Sequence, residues 1–167
     1  MTVVLDLILV NDGAHVYVRK FEHCDINANY DILYNLTFKI IGNKQYVDGL
    51  MHFKVPLDNN LRSQVSVDIL IGRRFTHLLN ITENKSCTAL HKYLGEFFYD
   101  LERNAQLIPG ICPLSEGKHY LHNFYVDFNK ATTLVNFPFG YLRFKGNMCD
   151  NKHKVLTCLV MELENRL

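Results

Sequence analysis

Alternation of apolar and polar residues along most of the chain limits its fold more than any other feature. In the clearest run, VSVDILI at 65–71, every second residue is Val or Ile. Successive side chains of a β-strand point to opposite faces of the sheet, so this spacing predicts a strand with one buried face. By alternation, composition and flanking turns, the other predicted strands span 14–21, 32–41, 46–57, 75–82, 118–128, 141–148 and 155–164.

The period of the pattern changes to that of a helix after Cys87. Apolar residues then recur at spacings of three and four, at Leu90, Tyr93, Leu94, Phe97, Phe98 and Leu101. This stripe predicts a single helix with a wide apolar face that ends before Pro109. Short strands separated by turns, with one helix and no repeat or linker, predict one domain built as an antiparallel β-sandwich.

The cysteines and glycosylation sequons indicate the secretory pathway. Five cysteines are spread along the chain without a CxxC pair, which favours structural disulfides over a zinc ribbon or a thiol redox site. Three Asn-x-Ser/Thr sequons begin at Asn35, Asn80 and Asn84, where we expect N-glycans. Residues 1–14 resemble a truncated signal peptide, with an ordinary first strand as the alternative. We therefore expect a secreted, extracellular domain at 15–167, with no transmembrane segment.

Charge and motif content argue against nucleic-acid binding and catalysis. Lys and Arg number 18 and Asp and Glu 17, and no basic cluster is large enough for phosphate binding. His119 and His122 lie three apart on a predicted strand and so point to opposite faces, which disfavours a shared metal. Cys149, His153 and Cys158 have no fourth zinc ligand nearby, and GxSxG, HExxH, GxGxxG and Walker motifs are missing from the sequence. We expect no enzymatic activity, metal, cofactor or nucleic-acid partner.

The order of features in the second half of the chain carries a family resemblance. After Cys87 and the apolar helix come CPL at 112–114, EGKHY at 116–120, NFYVDF at 123–128, FGYLRF at 139–144 and KVLTCLVMELE at 154–164. This order resembles the ML (lipid-recognition) superfamily, in particular the ganglioside activator protein and the insect chemosensory proteins similar to it. The first half, with VPLDNN at 55–60, resembles an insect family of uncharacterised secreted domains allied to that group. The resemblance covers about 16–164.

The resemblance implies a fold and a disulfide pattern. The fold is mostly β, an immunoglobulin-like antiparallel sandwich of two sheets with one helix in the Cys87–Cys112 segment, open between the sheets to admit a lipid. By position, the resemblance also implies that Cys24 pairs with Cys158 and Cys87 with Cys112. Cys149 is then the odd cysteine, and it departs from the family pattern, as does the weak signal peptide.

A hydrophobic small molecule or lipid is the partner that this resemblance implies. Ten apolar residues are candidates for the wall of a ligand cavity, and for each the alternative is a filled core position. They are Phe38, Phe53, Val67, Ile69, Phe97, Leu101, Phe124, Val126, Phe139 and Tyr141. The predicted function is a non-enzymatic lipid binder, with a role in chemosensation that rests on analogy. The alternative is an extracellular protein-binding module with a solid core, which acts on a cell-surface receptor.

Overall fold

The computed structural model describes residues 15–131, 133 and 137–166. The elements in chain order are β1 His15–His23, β2 Ile32–Ile41, β3 Lys44–Phe53, β4 Arg62–Ile71, β5 Arg74–Glu83, α1 Ser86–Leu94, α2 Glu96–Asn104, β6 Gly117–Tyr125, β7 Gly140–Cys149 and β8 Val155–Arg166. A 3₁₀ turn at Phe128–Lys130 follows β6. Every predicted strand is present, with ends that differ by a few residues from the predictions. The signal peptide predicted at 1–14 lies outside the described residues.

The strands form two antiparallel sheets. The larger sheet has the order β1-β8-β7-β4-β5, and the smaller sheet has the order β2-β3-β6. All the described pairings are antiparallel. The predicted fold class, a mostly β immunoglobulin-like sandwich of two sheets, is confirmed.

The helical segment differs from the prediction, because it holds two helices in place of one. The helices α1 and α2 are nine residues each and are separated by Gly95, whose φ of 54° and ψ of −133° break the helical geometry. A positive φ is readily adopted only by glycine, so the chain turns at this position. The apolar stripe continues on both sides of the break, which is why its spacing predicted one helix.

A buried glutamine closes one side of the sandwich. The side chain of Gln45, on β3, accepts a hydrogen bond from the Val18 amide at 2.8 Å and donates one to the Val18 carbonyl at 2.9 Å. Gln45 is 3% exposed, so both of its polar atoms are satisfied away from water. This contact joins β1, at the edge of the larger sheet, to the smaller sheet. The opposite edge of the larger sheet is β5.

Two disulfides tie the helices and the sheet ends to the fold. Cys24 pairs with Cys158, and Cys87 pairs with Cys112, which are the pairs that the family resemblance implies. Cys149 is a free cysteine. The main core lies between the sheets and α2, and its members include Ile32, Phe53 and Leu121. Neither described helix is long and apolar enough to cross a membrane.

Candidate functional site

A cavity of about 270 Å³ lies between the inner face of the larger sheet and α1. Its wall is formed mainly by apolar side chains from β4, β5, β7, β8 and α1. The lining residues are Tyr34, Ser63, Val65, Ile81, Glu83, Ser86, Ala89, Leu90, Tyr93, Leu94, Thr133, Phe137, Phe144, Gly146, Asn147, Met148, Thr157, Leu159 and Met161. The strand register explains how these residues come together.

Antiparallel pairing places the floor residues in three rows across the sheet. The first row is Glu83, Ser63, Met148 and Thr157, and the second row is Ile81, Val65, Gly146 and Leu159. The third row is Leu79, Val67, Phe144 and Met161. Residues two apart on a strand share a face, so all three rows point to the same side of the sheet. The cavity lies over the first two rows and is bounded by the large side chains of the third.

A glycine in the second row keeps the floor of the cavity low. Gly146 pairs with Val65 on one side and with Leu159 on the other. A Cβ added at Gly146 would lie 3.2 Å from Cγ2 of Val65, so even alanine would crowd the floor. The missing side chain therefore contributes space directly to the cavity.

Helix α1 forms the roof, and polar contacts hold it at both ends. At its start, the Ser86 amide donates to the Leu61 carbonyl at 3.0 Å, and the Ser86 hydroxyl donates to the same oxygen at 2.7 Å. At its end, the Thr133 hydroxyl donates to the Tyr93 carbonyl at 2.8 Å. Between these ends, Ala89 and Leu90 face the cavity. The roof is thus fixed to Leu61, the residue that precedes the floor strand β4, and to Thr133.

A buried contact between His91 and Glu102 joins α1, the roof of the cavity, to α2. His91 Nε2 lies 2.9 Å from Oε1 of Glu102, which is fully buried, and the Gly110 amide donates to the same oxygen at 3.1 Å. His91 Nδ1 lies 2.8 Å from the Cys87 carbonyl, which can only accept, so Nδ1 carries a hydrogen. A second proton must then lie between Nε2 and Oε1, because otherwise two lone pairs would face each other. This shared proton joins α1 to α2.

A cluster of metal-ligand types occurs in the same region. Sγ of Cys87, Sγ of Cys112 and a ring nitrogen of His91 lie within 4.8 Å of one another. Both cysteines are in the disulfide, and zinc binding requires free thiolates. While the disulfide is intact, this cluster is therefore structural.

The polar groups of the cavity wall differ in how far they are satisfied. The Ser86 hydroxyl donates its hydrogen to the Leu61 carbonyl. In its 2.5 Å contact with the Ser63 hydroxyl, the Ser86 oxygen therefore accepts and Ser63 donates. The Glu83 carboxylate accepts from the Tyr93 hydroxyl at 2.5 Å. The hydroxyl oxygen of Thr157, in contrast, is buried without a hydrogen-bond partner in the described part of the chain.

Tyr34 closes the cavity from the smaller sheet. Its amide donates to His23 Nε2 at 3.1 Å, and its ring packs edge-on against Phe21. Burial raises the pKa of Tyr34 to about 12, because the phenolate would lose its hydration there. The phenol therefore stays neutral well above the pH at which an ordinary tyrosine ionises, in keeping with an apolar wall.

Comparison with known proteins gives similar structures but no sequence match. No family of known proteins matches the chain, and neither does any curated protein. The fold is similar to the crystal structure of chicken MD-1 complexed with lipid IVa, at 12% identity over 92% of this chain and 98% of that one, with a TM-score of 0.45. It is also similar to a Niemann-Pick type C2 protein from the Japanese carpenter ant, at 9% identity over 86% and 96%, with a TM-score of 0.34. At these values, neither likeness identifies a ligand for this chain.

The ten residues predicted from the sequence to contact a ligand lie outside the lining of this cavity. Five are buried, at 8% exposure or less: Phe53, Val67, Phe97, Phe124 and Val126. Four are partly buried: Phe38, Ile69, Leu101 and Tyr141. Phe139 is 49% exposed. Phe97 and Phe124, for example, pack against each other in the main core, with ring centroids 5.7 Å apart. Their role in ligand binding stays a prediction.

The sequence signals missed the residues that do line the cavity, although they lie on the predicted faces. Val67 shares its face with Val65, which is one row closer to α1. The sequence features that could have indicated the cavity are a glycine and a threonine on otherwise apolar strand faces, Gly146 and Thr157. The asparagines of the three sequons, Asn35, Asn80 and Asn84, are all exposed, and their glycosylation stays a prediction.

Proposed function

We propose that this protein is a secreted, non-enzymatic binder of a lipid or another small hydrophobic molecule, which it holds between the larger sheet and α1. The observation that carries the proposal is the apolar cavity of about 270 Å³. Small-molecule pockets typically enclose about 300–1,000 Å³, so this cavity, just below that range, suits a small ligand. A sandwich that needed only to be stable would fill this space with side chains.

The energetics of burial support an apolar ligand. Each methylene transferred from water gains about 0.8 kcal/mol, so a single alkyl chain could bind well without charged contacts. Ordering and association costs reduce this gain, which favours a ligand with few rotatable bonds or one chain. The alternative function, a receptor-binding module, was expected to have a solid core, and the cavity favours the first proposal over it.

The setting that we propose is extracellular. The two disulfides are typical of proteins that fold in an oxidising compartment, and the exposed asparagines of the sequons are compatible with glycosylation there. A role in chemosensation is the finest part of the proposal, and its support is the sequence resemblance alone.

The first test asks whether the secreted protein carries a ligand. The chain would be expressed in insect cells behind a working signal peptide, purified, and extracted with organic solvent for mass spectrometry. We expect a hydrophobic compound near one equivalent. The delipidated protein should also bind the fluorescent apolar probe N-phenyl-1-naphthylamine.

A matched pair of variants shows whether the probe occupies the cavity. Val65→Phe fills the floor, whereas Gln64→Phe adds the same ring on the opposite, exposed face of β4. We expect Val65→Phe to weaken probe binding at least tenfold and Gln64→Phe to leave it unchanged, with circular dichroism and disulfide content unaltered in both. A clean extract together with no probe binding by the folded wild-type protein would refute the proposal.

A further inference from the structure

Thr157 carries a buried hydroxyl that forms no hydrogen bond within the described part of the chain. Its residue is 4% exposed, it lines the cavity at the end of the first floor row, and Oγ1 has no hydrogen-bond partner among the described residues. Buried hydroxyls are nearly always hydrogen-bonded, because leaving one unpaired costs free energy. An unpaired hydroxyl on the wall of an apolar cavity therefore indicates a polar atom on the molecule that fills the cavity.

The described residues next to Thr157 on the cavity floor do not offer a hydrogen-bond partner for its hydroxyl. Met148 lies beside it in the row, and Leu159 is the next residue of β8 on the same face. The Ser63 hydroxyl, two strands away, has its hydrogen committed to Ser86. Two strands separate side chains by roughly 9–10 Å, which is too far for a direct hydrogen bond between Ser63 and Thr157.

The charges of the cavity select against an anion. Of the described residues that line the cavity, none is Lys, Arg or His. The one carboxylate of the lining, Glu83, lies three strands away from Thr157, and its Oε1 is 3.8 Å from Lys92 Nζ. A buried carboxylate or phosphate group of a ligand beside Thr157 would therefore lack a cationic partner in the described lining of the cavity. The ligand's polar atom should therefore be neutral.

We propose that Thr157 determines ligand specificity, and that the preferred ligand is an uncharged amphiphile with a hydroxyl or carbonyl oxygen that hydrogen-bonds to Thr157 Oγ1. This inference rests on the proposed function, because it names the ligand class of the same cavity. A threonine hydroxyl both donates and accepts, so it can pair with an alcohol or with a carbonyl. The rest of such a ligand lies against Val65, Leu90 and Leu159.

The test compares ligands that share one chain and differ at one end. Octan-1-ol, octanoate and octane would compete with N-phenyl-1-naphthylamine on delipidated wild-type protein, on Thr157→Val and on Thr157→Ser. Valine keeps the shape of threonine without its hydroxyl, and serine keeps the hydroxyl. We expect wild type to bind octan-1-ol roughly tenfold more tightly than octane, as one hydrogen bond allows, and more tightly than octanoate. Thr157→Val should lose the preference over octane, and Thr157→Ser should keep it.

The outcomes separate this inference from the function on which it rests. Equal binding of octan-1-ol and octane by wild type, or an unchanged preference in Thr157→Val, would overturn the role of Thr157 while the cavity still binds apolar molecules. Tightest binding of octanoate would overturn the selection of neutral ligands. If wild type binds neither the probe nor any of the three compounds, both the function and this inference are refuted.

Discussion

Replacing Thr157 with valine should stabilise the ligand-free protein, which is the opposite of the usual effect of a core substitution. The two side chains have nearly the same shape, so the change leaves no cavity and adds no bulk. What it removes is a hydroxyl oxygen that is buried without a partner in the described structure. An unsatisfied buried polar group costs about 1–3 kcal/mol, so the free energy of unfolding should rise by a similar amount. For a domain of this size, the melting temperature should rise by about 2–4 °C per kcal/mol.

The assay is urea unfolding of delipidated, disulfide-intact protein, with calorimetry for the melting temperature. Thr133→Val is the matched control, because Thr133 also lines the cavity but its hydroxyl donates to the Tyr93 carbonyl at 2.8 Å. The control should lower the free energy of unfolding by about 1 kcal/mol. If Thr157→Val is neutral or destabilising, the Thr157 hydroxyl is already satisfied in the free protein, by an ordered water for example, and the reasoning fails.

Three further changes probe the roof, the wall and the sandwich. His91→Leu should lower the free energy of unfolding by about 3–5 kcal/mol in urea melts, because it leaves the buried Glu102 without its side-chain partner and with only the Gly110 amide. Full stability in this variant would contradict the shared proton. The pKa of Tyr34 is raised to about 12 in the folded state, so between about pH 10 and 12 the unfolded chain loses a proton that the native state keeps. The free energy of unfolding should therefore fall as the pH rises through this range. An ultraviolet titration in which every tyrosine ionises near pH 10 would refute this. Gly49→Ala should prevent folding, since its Cβ would lie 2.1 Å from the Asn35 carbonyl oxygen. Gly42→Ala, with open space around it, should lower the free energy of unfolding by only about 1 kcal/mol in urea melts. Equal effects of the two substitutions would contradict the steric argument.

Periodicity predicted the strands well because most of them have one face that is more buried than the other, and alternation reports this difference directly. It failed at Gly95 because a helical stripe reports which residues face the core and not whether the backbone between them is continuous. Tyr93 and Leu94 before the break and Phe97 and Phe98 after it keep the spacing of one helix. Only the positive φ of Gly95, a backbone property, divides the segment.

The cavity was harder to predict than the fold, since a residue that lines a cavity and a residue that fills a core have the same pattern. Val65 and Val67 are both β-branched, on one strand and on one face. The second is fully buried, and the first lines the cavity. Their difference in burial depends on what packs against each of them from the other side of the sandwich, which is a property of the tertiary structure. The disulfide pairs were implied by a whole-chain resemblance, because spacing alone leaves several connectivities open.

The three floor rows also show why the cavity persists at this end of the sandwich. The third row ends in Phe144 and Met161, which are large, the second contains Gly146, and the first contains polar Thr157. Glycine weakens a strand, and valine would suit the buried position of Thr157 better, since a buried hydroxyl needs a partner. Local choices that oppose stability are expected where a sequence serves a function. Here the two adjacent exceptions lie on one cavity wall, and the first gives a ligand its space while the second gives it a hydrogen bond.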